Sequence, residues 1–288
     1  MRVDHYAVAA CVLLFATSTT VRAVPTYSAF NCANLAPATP SETPLSLDDT
    51  CTSSVGVAET SARAGAGSVG ASSKAVSNVG TSVDVTASAG ASFFTDEIVI
   101  STLPSSGGLP GLVQVAMRFQ IDGLLETEGG GTRQSLAQVV ATLGTLGGNT
   151  SFRNNAGSVT SEITNYSVIE NNSSGDVIKL VLETGKVWVN LMNPTINASL
   201  QLNVSNLARE LSSATSDFLN TVTFAQGMDV FAFYDAEGKQ VFGYTANAGT
   251  YIVNNRFGRT NGTVPEPGTL ALLCLGLVGL GAARRRAK

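Results

Sequence analysis

Residues 196–204 read Ile-Asn-Ala-Ser-Leu-Gln-Leu-Asn-Val: Ile196, Ala198, Leu200, Leu202 and Val204 alternate without a break with Asn197, Ser199, Gln201 and Asn203. Successive side chains of an extended chain point to opposite faces, so the pattern gives one apolar face and one polar face. Strands of that kind, half on a core and half in water, belong to antiparallel sheets. The same period recurs at Val113, Val115, Met117, Phe119 and Ile121, and ends at the turn signal Asp122-Gly123. Ile163–Glu170 and Val177–Glu183 flank Asn171-Asn172-Ser173-Ser174-Gly175-Asp176, which predicts a hairpin, and Val187–Leu191 follows across Thr184-Gly185. Further strands are expected at Phe218–Phe224, Met228–Tyr234, Gln240–Thr245 and Gly249–Val253, separated by glycine-containing turns such as Ala236-Glu237-Gly238-Lys239. Leu207–Ser213 reads as one short helix. Many short strands with antiparallel turn chemistry predict an all-β domain, an antiparallel two-sheet sandwich or jelly-roll-like fold.

The stretch Ser54–Ser92 is dense in Ala, Ser, Gly, Val and Thr and admits two readings, a low-complexity linker or strands with one small-residue face. Its second half favours strands, because Val83, Val85, Ala87, Ala89, Ala91 and Phe93 alternate with Asp84, Thr86, Ser88, Gly90 and Ser92.

The two ends of the chain carry addresses. Arg2 precedes the apolar run Ala7–Ala16, followed by Thr17-Ser18-Thr19-Thr20 and Val21-Arg22-Ala23. A charged start, a short apolar run and a small-residue site predict a signal peptide over residues 1–23, with Sec export and cleavage by signal peptidase after Ala23. At the other end, Val264-Pro265-Glu266-Pro267-Gly268 leads into an apolar run, Thr269–Ala283, and then Arg284-Arg285-Arg286-Ala287-Lys288. The prolines hold the junction extended, so a helix is expected from near Gly268. At 1.5 Å per residue it covers about 22 Å, a short transmembrane helix, and the arginines put its end on the cytoplasmic side.

This order of Pro265-Glu266-Pro267, a short Leu/Gly-rich helix and a terminal Arg284-Arg285-Arg286 cluster resembles the PEP-CTERM sorting signal of Gram-negative bacteria. The resemblance implies an exosortase as partner and a transient inner-membrane intermediate. It further implies removal of the tail and delivery to the cell surface or extracellular matrix, with exopolysaccharide as an associated partner. Ser212–Thr221 and the stretch entering Phe93-Phe94-Thr95-Asp96 are similar to regions of β-rich proteins of that kind, and they carry no catalytic residues to transfer.

The chain therefore divides into 1–23, a Pro/Thr-rich segment 24–53, a β-rich extracytoplasmic domain 54–263 and the sorting signal 264–288. The single histidine, His5, falls in the first of these, which excludes His-dependent triads and His-ligated metals from the exported body. Six of the 17 Lys/Arg and two of the 21 Asp/Glu lie in the terminal segments, leaving 11 cations against 19 anions and a net charge of −8 over residues 24–263. Scattered cations on an acidic body exclude nucleic acid as a partner, since phosphate binding needs clustered Lys/Arg. Cys11 and Cys274 belong to the two ends, so Cys32 and Cys51 remain, and an oxidising compartment favours one disulfide between them.

Candidate chemistry is sparse. Carboxylate pairs suited in residue type to glycoside hydrolysis are Asp96/Glu97, Glu126/Glu128 and Asp235/Glu237, although adjacent carboxylates are common on solvated turns. Oxygen ligands meet a turn at Asp229 and Asp235-Ala236-Glu237-Gly238, without a full calcium-loop pattern. No cofactor and no metal is expected. Trp188, Tyr234, Tyr244 and Tyr251 lie near strands and are candidate glycan contacts, against the alternative that their rings pack the core. The expected protein is a non-enzymatic surface or matrix protein, with a glycan-binding module as the alternative and a carboxylate hydrolase as a third reading.

Overall fold

Extended, alternating chain dominates the computed structural model, which describes residues 26–30, 44–52, 54–80, 82–103 and 111–258. The expected signal peptide, Cys32 and the expected tail helix lie outside the described residues. In chain order the first strands are β1 (Thr26–Phe30), β2 (Leu45–Thr52), β3 (Gly56–Gly65), β4 (Ser68–Ser77), β5 (Val85–Thr102) and β6 (Leu112–Gly129). They continue as β7 (Arg133–Leu143), β8 (Leu146–Asn155), β9 (Ser158–Thr164), β10 (Ser167–Asn171), β11 (Val177–Glu183) and β12 (Val187–Asn190). The last are β13 (Thr195–Ala208), β14 (Ser212–Phe224), β15 (Phe231–Tyr234), β16 (Gln240–Val241), β17 (Tyr244–Asn247), β18 (Ile252–Val253) and β19 (Arg256–Phe257).

All pairings among the described residues are antiparallel and form two large sheets and a two-stranded one, β18-β19. One large sheet has the order β1-β5-β13-β7-β8-β9, with β17 also on β5; the other has the order β10-β11-β6-β14-β4-β3-β2, with β12 and β15 on β6 and β16 on β15. The chain changes from one large sheet to the other between β1 and β2, β4 and β5, β5 and β6, β6 and β7, β9 and β10, β12 and β13, β13 and β14, and β16 and β17. Strands of the two sheets pack on one another, β4 and β3 against β5, and β14 against β13 and β7. The core lies between them, and Phe93, Phe119, Phe152, Phe218, Phe224 and Phe231 are its largest fully buried side chains. Each such ring contributes about 1.5–3 kcal/mol relative to an exposed one.

The strictly alternating residues 196–204 lie within one sheet, on the strand between β5 and β7. On β13, Ile196, Ala198, Leu200, Leu202 and Val204 are buried, while Asn197, Ser199, Gln201 and Asn203 face outward. Ser54–Ser92 contributes paired strands, so the linker reading is overturned: Gly56–Gly65 pairs residue for residue with Ser68–Ser77 across the turn at Gly67, whose φ is +66°. The small side chains serve close sheet packing, and Ala58, Ala75, Ala87, Ala208 and Val85 form a separate buried cluster. Two strands from residues 24–53 also join the body, β1 on β5 and β2 on β3. Cys51 lies on β2, half-buried against the cluster of small side chains.

Three expected elements differ in the structure. The segment Leu207–Ser213 is no helix: β13 runs through Ala208, β14 begins at Ser212, and Glu210 and Leu211 take φ of 60° and 57° in a tight arch between the sheets. Backbone groups that a helix would have paired internally find other partners at the arch: the Ser212 hydroxyl donates to the Arg209 carbonyl at 2.6 Å, and Leu211 N–H donates to the backbone carbonyl of Val79 at 3.1 Å. Ile163–Glu170 is not one strand. Asn165, at φ 63°, turns the chain from β9 in one sheet to β10 in the other, and only β10 forms the expected hairpin with β11. Gly243, at φ 96°, likewise divides Gln240–Thr245 between β16 and β17.

Two buried asparagines tie the sheets together. Asn206 on β13 donates to the carbonyl and to Oγ of Ser73 on β4, and its Oδ1 accepts from Ser216 on β14 at 2.8 Å. Asn154 on β8 donates to the Leu125 carbonyl at 2.8 Å and to Asp176 at 2.9 Å, while its Oδ1 accepts from Thr127 at 3.2 Å. A buried amide is tolerated because its donors and acceptor are used.

Candidate functional site

Four strands of the larger sheet align one residue each in a row. Trp188 on β12 stands opposite Gln114 on β6, Gln114 opposite Tyr234 on β15, and Tyr234 opposite Gln240 on β16. Directly opposed residues share a face, so all four project from the outer side of the sheet. The inner side of the same strands is apolar, with Val113, Val115, Val189 and Phe233 buried. The Trp188 side chain is 52% exposed, Tyr234 is half-buried, and Gln240 is exposed.

Tyr234 is fixed from two sides. Its hydroxyl donates to Glu183 Oε1 at 2.6 Å, and Arg118 Nε donates to Glu183 Oε2 at 2.8 Å. Glu183 ends β11 opposite Arg118 on β6, so the tyrosine side chain, starting level with Gln114, crosses β6 to reach it. On that face between Gln114 and Arg118 lies Ala116, which leaves room for the ring. Lys186 Nζ sits 3.7 Å from the ring centroid and donates to the Gly238 carbonyl at 3.2 Å. A cation held over an aromatic face is attracted by the ring quadrupole. Burial, reinforced by the Glu183 carboxylate, pushes the Tyr234 hydroxyl up to about 12. Burial alone would lower the Arg118 pKa; the hydrogen bond and charge of Glu183 outweigh it and raise the guanidinium.

The structure separates the four aromatic candidates. Trp188 and Tyr234 share the outer row, whereas Tyr244 and Tyr251 are core residues, 6% and 9% exposed. The Tyr244 ring stacks on Phe233 with centroids 5.4 Å apart. Tyr251 meets Phe93 edge-on at 5.9 Å, stacks on Phe224 at 6.5 Å, and donates from its hydroxyl to Thr95 at 2.8 Å. Their rings carry area that the inner faces need, and the Tyr251 hydroxyl finds its partner inside. Gln114, Arg118, Glu183 and Lys186 were not singled out from the sequence; the alternation places Gln114 on the polar face of β6, but nothing local aligns it with Trp188.

The carboxylate candidates are dispersed. Glu126 and Glu128 are exposed along β6, and Asp96 is exposed on β5. Asp235 Oδ1 accepts the backbone N–H groups of Glu237 and Lys239 at 3.1 and 2.8 Å, which closes the β15–β16 turn. Asp229 pairs with Arg256 at 3.0 Å. Among the described residues no group of three His, Cys, Asp or Glu side chains is placed to hold a metal ion. Two clefts flank the body. One of about 370 Å³ opens between the sheet edges at Val159, Ile163, Ile178 and Asp176; the other, of about 1060 Å³, is lined by Leu45, Arg63, Leu219, Tyr251 and Phe257. The first holds a single carboxylate and the second none.

Sheets, core and outer row define an all-β, antiparallel, sandwich-like protein. Its C-terminal end matches a protein-family model, the PEP-CTERM protein-sorting motif, over residues 263–286. The match covers Pro265-Glu266-Pro267 and Arg284-Arg285-Arg286, and such a motif implies export and exosortase-targeted sorting through a membrane-anchored intermediate. No curated protein and no solved structure matches the chain.

Proposed function

We propose that this protein is a non-enzymatic surface or extracellular-matrix protein, delivered by Sec export, trimmed by signal peptidase at residues 1–23 and processed by an exosortase within 264–288. The observation that carries the reading is the sorting motif at residues 263–286 joined to a large all-β body. In the body, the orders β4-β14-β6-β11 and β5-β13-β7-β8 follow the interlocked Greek keys of a jelly roll, an architecture of many binding domains. A disulfide between Cys32 and Cys51, with 18 residues between them, would stabilise the N-terminal part by about 3 kcal/mol on the chain-entropy model. Association with exopolysaccharide is the expected setting. Intact-mass measurement of the protein recovered from its native cells tests the reading. The expected species lacks about 23 residues at the front and everything beyond the Pro265-Glu266-Pro267 junction. A mature species that keeps Arg284-Arg285-Arg286 identifies a permanent membrane anchor instead.

A second reading, a glycan-binding module sorted by the same route, is favoured by one observation: Trp188, the single tryptophan, is 52% exposed on a rigid sheet face. Burial is the ordinary way to use so large an apolar ring, and an exposed one on an ordered strand suits contact with a ligand.

A further inference from the structure

Resting on the glycan-binding reading, we infer that the outer-face row Trp188, Gln114, Tyr234 and Gln240 binds a neutral polysaccharide along its chain. The row spans three strand intervals, about 14 Å at 4.7–4.9 Å each. Neither of the two larger clefts includes any of these four residues. An open row suits a stretch of linked sugars passing over it, where a monosaccharide or chain end would call for a closed pocket.

The residue chemistry alternates in the way a sugar chain does. The indole of Trp188 offers a negative π face to the weakly positive C–H groups on one side of a pyranose ring. Gln114 and Gln240, each with an amide that both donates and accepts, stand beside the rings where the equatorial hydroxyls of such a sugar project. Tyr234 is held by Glu183 and by Lys186 with its ring leaning across β6 beside Gln114, so that part of the surface is set before any ligand arrives. Ordering of that kind lowers the entropy cost of binding.

Charge selects a neutral ligand. Around the row Arg118, Lys186 and Lys239 are matched by Glu183, Asp235 and Glu237, three cations against three anions on adjoining strands and the β15–β16 turn. Arg118 and Glu183 satisfy each other, and Lys186 is engaged by the Tyr234 ring and the Gly238 carbonyl. A uronate or sulfated chain gains no net attraction there, and the net charge of −8 on the body opposes it at longer range.

Affinity electrophoresis of the full-length protein in mild detergent tests this, with hydroxyethyl cellulose as the neutral polymer and polygalacturonate as the acidic one. The expected result is retardation by the neutral polymer, an apparent affinity about tenfold or more weaker for Trp188→Ala, and recovery to within about threefold for Trp188→Phe. Thermal unfolding of both variants should match the parent, since the ring is half in water. Retardation that Trp188→Ala leaves unchanged overturns this site while sparing the glycan-binding reading. No retardation by either polymer overturns both, and stronger retardation by polygalacturonate overturns the neutral assignment. Concentration-dependent self-association that Trp188→Ala abolishes, without polymer binding, assigns the face to a second copy of the chain and also overturns the proposal. Tail processing is read by mass in cells and is independent of all these outcomes.

Discussion

Replacing Asn206 with alanine removes the polar bridge between the two sheets in the part of the core that is otherwise built of small side chains. The residue is 1% exposed, and its amide serves the Ser73 carbonyl, Ser73 Oγ and Ser216 Oγ. Ser216 keeps a second, longer contact to the Leu136 carbonyl at 3.4 Å, whereas Ser73 lies fully buried with its partner gone. Each buried polar group left without a partner costs about 1–3 kcal/mol, so the variant should lose about 2–4 kcal/mol once partial rearrangement is allowed. For a body of this size 1 kcal/mol moves Tm by about 2–4 °C, which places the expected fall at roughly 5–15 °C. Thermal unfolding followed by circular dichroism of the full-length protein reads it directly. Asn206→Asp should be worse at neutral pH, because a buried carboxylate loses the amide donors and faces the Ser73 carbonyl. A double-mutant cycle with Ser216→Ala should show a coupling of about 0.5–3 kcal/mol. A fall in Tm below about 2 °C, or strict additivity in the cycle, would refute the bridge as a stabilising element.

Two further outcomes follow from single positions. A Cβ on Gly123 in β6 would overlap the ring of Phe218, which is fully buried, so Gly123→Ala should destabilise by about 1–3 kcal/mol through overpacking, measured by urea unfolding. Tyr234 titrates at about 12 in the fold against 10.0 unperturbed, so the folded state favours the neutral phenol; that contribution is complete below pH 10 and is lost as pH rises towards 12. Burial raises the hydroxyls of Tyr166 and Tyr244 as well, so tyrosinate absorbance should show a late-titrating group of rings from which Tyr234→Phe removes one, and the variant should lose less stability across that window than the parent.

Much of the fold was readable because strand period is a local property. Val113–Ile121, Ile196–Val204 and Val83–Phe93 each state which side chains go inward, and the structure buries those residues almost without exception. Misread boundaries cluster where the chain changes sheets. Asn165, Gly243 and the pair Glu210–Leu211 take positive φ and break a run of residues that, by composition alone, continues as strand or helix. The aromatic candidates divided for a related reason. Tyr234 and Tyr244 are ten residues apart in similar β-rich sequence, yet one lies on β15 under Lys186 and the other on β17 stacked against Phe233.

The sequence by itself determined the class of fold, the inward face of the longest strands, the sorting motif at residues 263–286 and the absence of histidine from residues 24–263, since all of these are properties of neighbours in the chain or of composition. Only the tertiary structure decided which strands share a sheet, with β13 wedged between β5 and β7 and β14 between β4 and β6. It also decided that Trp188, Gln114, Tyr234 and Gln240 stand in line, although they lie as much as 126 positions apart in the chain. Register between strands is set by packing over the whole core and by where the corners fall, and no window of sequence contains that information.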